Sequence, residues 1–117
     1  MNNQNVLDVA FYFARLLDDK KGINTVLLDI QKISFIADYF IITTAQSTTH
    51  LKTLSNTIIK KMKESNYINR NLTYEGNPHT GWILLDFGDI VIHLFTKDRR
   101  EYYNLEYIWH EAKKIPF

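Results

Sequence analysis

Two aspartates, Asp86 and Asp89, flank a turn in the segment WILLDFGDIVIHLF. A carboxylate pair near a strand end is what a magnesium-dependent phosphoryl or nucleotidyl transferase uses to hold its metal. Such an enzyme also needs a cradle of backbone amides for the phosphates, and the chain has neither a glycine-rich loop nor a P-loop. The metal-dependent transferase working through Asp86 and Asp89 is therefore the alternative reading. The leading one makes both residues turn formers that bond to nearby amides. His93 shares a strand face with Val91 and Phe95, where a histidine is expected to be a packed, hydrogen-bonded core residue. His50, His79 and His110 belong to three other elements, and Ser47 has no Gly-x-Ser-x-Gly context for a nucleophile elbow. With no cysteine in the chain, disulfides, thiolate nucleophiles and zinc-thiolate centres are excluded. The expectation is a protein without catalytic residues, metal site or cofactor.

Alternation along the strand places Trp82, Leu84 and Asp86 on one face and Ile83, Leu85 and Phe87 on the other. A face mixing a large aromatic, an aliphatic and a carboxylate admits two readings. Trp82 is either a core residue or a cover for the sheet edge, or it anchors a protein-docking patch of the kind in which aromatics ringed by polar groups supply most of the binding energy. Periodicity alone leaves the two equal. Lys52, Lys60, Lys61 and Lys63 form a basic helix surface, a pattern that is more commonly a solvated face than a specific RNA site.

The elements that must carry these residues follow from periodicity and punctuation. Val6, Val9, Ala10, Phe13, Leu16 and Leu17 recur at helical spacing behind an Asn5 cap, predicting a helix over Val6 to Asp19 that Gly22 terminates. Asn24 to Asp29 and Tyr39 to Ala45 are rich in Thr, Val, Ile and aromatics and read as strands. Between Thr48 and Ser65, Leu51, Leu54, Ile58 and Met62 line one face of a second helix. The polar stretch NYINRNLTYEGNPHTG reads as irregular backbone around a short edge strand near Leu72 to Glu75. Trp82 to Phe95 reads as a β-hairpin turning at Gly88. A last helix, capped by Asn104 and carrying Leu105, Ile108, Trp109 and Ala112, follows, with Tyr103 placed to staple against Ile108. This order predicts an α/β fold, a single domain over residues 1–117 with a mixed β-sheet packed with helices.

The 117 residues, of which 45% are hydrophobic and 14% aromatic, supply ample apolar surface for one core. Fourteen Lys and Arg against thirteen Asp and Glu leave a net charge of +1, without the excess that general phosphate-backbone binding shows. No basic region precedes the first apolar run, and no stretch approaches the ~20 apolar residues of a membrane helix. A cytoplasmic protein with no membrane partner is expected.

The run from Trp82 to Phe95, followed by Arg100-Glu101-Tyr102-Tyr103-Asn104-Leu105-Glu106 and Trp109, resembles the ribosomal silencing factors, the bacterial Iojap-type proteins and their organelle relatives. Upstream, Asp38-Tyr39-Phe40-Ile41-Ile42, Ser47, His50 and Glu75-Gly76 fall at further recurring positions of that family, so the resemblance spans Asp29 to Trp109. It implies a nucleotidyltransferase-like topology without the catalytic motif. It also implies a translational repressor that binds the large ribosomal subunit through its protein uL14 and sterically blocks joining of the small subunit when nutrients are short. The docking surface it implies lies on Trp82, Leu84 and Asp86, with Tyr74 and Glu75 as neighbours. Local contact with ribosomal RNA and a homodimer in the free state are left open. The chain departs from the family pattern at Ala45-Gln46, where a glycine usually precedes the serine, and at Thr49, where a basic residue commonly precedes His50. No docking contact is assigned to that loop.

Overall fold

The computed structural model describes residues 5–64 and 73–117. Asn5 caps the first helix, α1 (Val6–Asp19), by accepting the Leu7 amide at 2.8 Å. The apolar stripe of α1 buries Val9, Ala10, Phe13, Ala14 and Leu17. The helix ends in a Schellman motif: the Lys21 amide bonds the Asp18 carbonyl and the Gly22 amide bonds the Leu17 carbonyl. The left-handed residue of that motif is Lys21 (φ 73°), so the expected role of Gly22 as the helix-ending glycine is corrected. Gly22 is instead the residue without a side chain at a crowded spot, since a Cβ there would stand 2.4 Å from the Thr43 hydroxyl.

Strands β1 (Ile23–Asp29) and β2 (Tyr39–Ala45) pair antiparallel, and helix α2 (Thr48–Glu64) follows. Ser65, expected to end this helix, and Leu72, expected to begin the edge strand, lie outside the described residues. Edge strand β3 (Thr73–Asn77) leads through a 3-10 turn at Pro78–Thr80 into β4 (Trp82–Asp86), which forms the expected hairpin with β5 (Ile90–Thr96). With β6 (Lys113–Lys114) at the far edge, the described strands make one mixed sheet in the order β3-β4-β5-β2-β1-β6, with β2 and β5 parallel. The crossover that makes them parallel includes α2, and the central strand β2 is buried along its whole length, as a strand covered on both faces must be.

One face of the sheet carries α1 and α2, which enclose Leu27, Ile41, Ile83, Leu85, Ile92 and Leu94. The other face gathers Leu28, Ile30, Phe40, Ile42, Val91 and Phe95 beneath a thinner cover. That cover corrects the expected last helix. The chain makes two short helices, α3 (Lys97–Tyr103) and α4 (Leu105–Ile108), broken at Asn104. Asn104 adopts a left-handed conformation (φ 48°), and its side chain makes no capping bond. Trp109 and Ala112 lie beyond α4, and the two-residue strand β6 then adds to the β1 edge. Among the described residues no helix is long and apolar enough to cross a membrane.

Candidate docking surface on the hairpin

Hairpin register decides which side chains share a face, because residues directly opposite one another project to the same side. Trp82 lies across from Phe95, Leu84 from His93 and Asp86 from Val91. The expected trio therefore stands on the thinly covered face, together with His93. On the other side of β4, Glu75 is opposite Leu84, whereas Tyr74 is opposite Leu85. The structure thus brings Glu75 onto the face of Trp82, Leu84 and Asp86. It places Tyr74, 45% exposed, on the reverse face, at the strand that edges the sheet.

Burial along β4 alternates strictly: Ile83 and Leu85 are enclosed by the helices, while Trp82, Leu84 and Asp86 are half-buried. The Trp82 ring stacks on Phe95 at 5.3 Å between centroids and meets Tyr103 at 4.5 Å. Its indole Nε1–H donates to Nδ1 of His93 at 3.4 Å. Glu75, Gly76, Thr80, Trp82, Leu84 and Tyr103 line a recess of about 140 Å³. Tyr103, expected as a staple against Ile108, is instead the far wall of this recess. Beyond it, Tyr102 is 73% exposed and meets Tyr103 edge-on at 5.1 Å, so an aromatic surface continues outward from the hairpin.

The glycine at Gly76 lets β3 lie close to this site. Its φ is 89°, and a Cβ would stand 2.1 Å from the Trp82 carbonyl oxygen, so only hydrogen fits there. The elements above the face are held by Arg100, whose guanidinium grips Glu106 with both arms at 2.9 and 3.1 Å. It also donates to the Ile23 carbonyl and the Thr44 hydroxyl. This grip is the main cause of a Glu106 carboxyl held below its usual range.

Asp86 accepts the Gly88 amide at 2.8 Å, the turn role expected of it. The Asp89 carbonyl takes the amides of Asp38 and Tyr39, tying the hairpin turn to the start of β2. Burial, and then the charges of Asp89 and Asp29, hold the Asp38 carboxyl above the usual range. Among the described residues no group of three or more His, Cys, Asp or Glu is placed to hold a metal.

His93 is 5% exposed, as a packed strand histidine should be, and burial lowers its pKa to about 4. Its ring meets Phe40 edge-on at 4.8 Å. His50 is structural too: Nδ1 accepts the Gln46 amide and Nε2 bonds the Lys20 carbonyl, both at 2.9 Å. That pair of bonds sets the Nε2–H tautomer and clamps the Ala45-Gln46 loop to the end of α1. Ser47 accepts the His50 amide at 3.0 Å, at the start of α2. Lys52, Lys60, Lys61 and Lys63 are exposed on α2, which covers the opposite face of the sheet from Trp82. Sequence reasoning missed Tyr103 and His93 as members of the Trp82 cluster. Hairpin register alone could have supplied His93, while Tyr103 depends on how α3 folds back.

The family described as "Ribosomal silencing factor during starvation" matches residues 3–117. A ribosomal silencing factor of Halalkalibacterium halodurans is 36% identical over 115 residues, covering 98% of this chain and 94% of the relative. One of Bacillus subtilis is 36% identical over 112 residues, covering 96% and 91%. Among solved structures, a Chromobacterium violaceum protein superposes with a TM-score of 0.82 at 28% identity, covering 97% of this chain and 92% of that one. A Bacillus halodurans protein superposes with 0.76 at 32% identity, covering 98% and 100%. A family match along nearly the whole sequence, relatives alike at over a third of positions and the same fold in solved structures make this chain a member of the ribosomal silencing factor family.

Proposed function

We propose that this protein silences translation by docking on the large ribosomal subunit through protein uL14, so that its bulk stands where the small subunit must join. The reading is that of a cytoplasmic binding protein, not an enzyme. The observation that carries it is the half-buried Trp82 and Leu84 on a thinly covered sheet face, rimmed by the carboxylates of Glu75 and Asp86. Folding leaves this apolar surface in partial contact with water, and a partner would complete its burial. Tyr103 enlarges the patch, and the acidic rim favours a partner surface that presents basic groups. Tyr74, on the reverse face of the edge strand, would take part only where the partner wraps that edge. The exposed lysines of α2 face away from this patch, which supports a contact made mainly with protein rather than ribosomal RNA.

The test is co-sedimentation with purified large subunits, followed by addition of small subunits. The unmodified protein should travel with large subunits and lower the yield of joined ribosomes, and Trp82→Ala should lose both effects. Undiminished binding by a folded Trp82→Ala protein would move the docking surface off this face. Calorimetric binding of a nucleoside triphosphate with magnesium, abolished by Asp86→Asn, would favour the transferase instead.

A further inference from the structure

His93 is a costly residue to place where it is. It is 5% exposed, packed edge-on against Phe40, and its Nε2 finds no hydrogen-bonding partner among the described residues. A phenylalanine would fill that volume without desolvating a polar ring. What a phenylalanine lacks is an acceptor lone pair in the ring plane, and Nδ1 of His93 lies 3.4 Å from the Trp82 indole nitrogen. An acceptor at Nδ1 requires the neutral ring protonated at Nε2, and burial keeps the ring neutral well below physiological pH. The other contacts of Trp82, with Phe95 and Tyr103, are ring-on-ring and permit sliding and tilting. The bond that the indole N–H donates to His93 is directional.

We infer that His93 is a positioning residue for the docking surface: its Nδ1 holds the Trp82 indole in the orientation that walls the recess beside Leu84, Glu75 and Tyr103. The inference rests on the docking reading for its functional consequence, but the orientation itself is measurable in the free protein. The readout is the indole N–H resonance of Trp82, told apart from that of Trp109 by substitution. Three variants are compared: His93→Phe, which fills the space without an acceptor; His93→Asn, which can place an amide oxygen near the position of Nδ1; and Trp82→Ala. In His93→Phe the Trp82 resonance should move toward that of an unbonded indole, and large-subunit binding should weaken roughly fivefold, the usual effect of losing one neutral hydrogen bond. Thermal stability should not fall, because a buried polar group has been removed. His93→Asn should restore much of the resonance position and of the binding.

If the resonance and the binding of His93→Phe both match the unmodified protein while Trp82→Ala fails to bind, the positioning role is wrong and the docking reading stands. If the resonance moves but Trp82→Ala binds normally, the orienting bond is real and the docking reading is what fails. A binding loss in His93→Phe that merely tracks a fall in melting temperature would also overturn the inference, since general damage to the fold would then explain it.

Discussion

Trp82 packs against Phe95, Tyr103 and His93 while part of its ring stays in water, so its removal takes away packing and docking surface together. Trp82→Ala should lower folding stability by about 1.5 to 2.5 kcal/mol, roughly half the loss expected for a fully buried tryptophan. The same change should cost at least ~2 kcal/mol of subunit binding, a loss of roughly thirtyfold. Urea titration and co-sedimentation of one preparation measure the two separately. His93 gives a second outcome at this scale. Its folded pKa of about 4 lies below the ordinary 6.5, so the fold prefers the neutral ring. The resulting stability is fully present above pH ~6.5 and is lost as the pH falls toward 4, by about 3 kcal/mol in all. Urea midpoints measured from pH 7 to 4 should show this decline in the unmodified protein and, to that extent, not in His93→Phe. The chemistry of both residues was legible in their types, but their partnership was not. The separation of Trp82 and His93 in sequence says nothing until the hairpin register makes them neighbours.

At the scale of elements, strand β3 lies close to β4 because Gly76 has no side chain where the Trp82 carbonyl sits. Gly76→Ala adds a Cβ at a positive φ against backbone that cannot step aside. It should destabilise the protein by about 2 kcal/mol or more, with loss of amide protection concentrated in β3. Arg100 does comparable work on the opposite side of the docking face, reaching from α3 to Glu106, Ile23 and Thr44. Arg100→Lys keeps the charge but loses the planar fork. A fall of about 1 to 2 kcal/mol is expected in chemical denaturation, and the α4 segment should exchange its amides faster. Because Glu106 is held below its usual range, this pair contributes above the ordinary carboxylate pKa and weakens as the pH falls through the lowered value. The elements with a strong period, α1, α2 and the hairpin, were legible from sequence. Helix α3 was not, because KDRREYY buries no residue and so shows no apolar stripe. The final helix was predicted too long, because the apolar spacing of Leu105, Ile108, Trp109 and Ala112 fits a helix that the backbone abandons after one turn.

For the whole molecule, a net charge of +1 and a docking face remote from the lysines of α2 predict that large-subunit binding will weaken only modestly with salt. Sedimentation at low and moderate salt checks this. A steep decline, matching several released counterions, would turn attention to Lys52, Lys60, Lys61 and Lys63. The composition and the order of periodic segments were enough to determine an α/β chain with a mixed sheet, since alternation and helical spacing are local properties that survive any arrangement of the pieces. They also determined that Trp82, Leu84 and Asp86 share a face, and the motif from Trp82 to Glu106 was enough to suggest the family. Which face that is was decided only by the tertiary structure. Alternation separates two sides of a strand without saying which side the helices cover, and that depends on the crossover through α2 and on how α3 and α4 return. The return of α3 likewise put Tyr103 beside Trp82, whereas the pairing of β4 with β5 brought His93 next to it and the pairing with β3 turned Tyr74 to the other face, because strand register and packing between elements are not encoded in local periodicity.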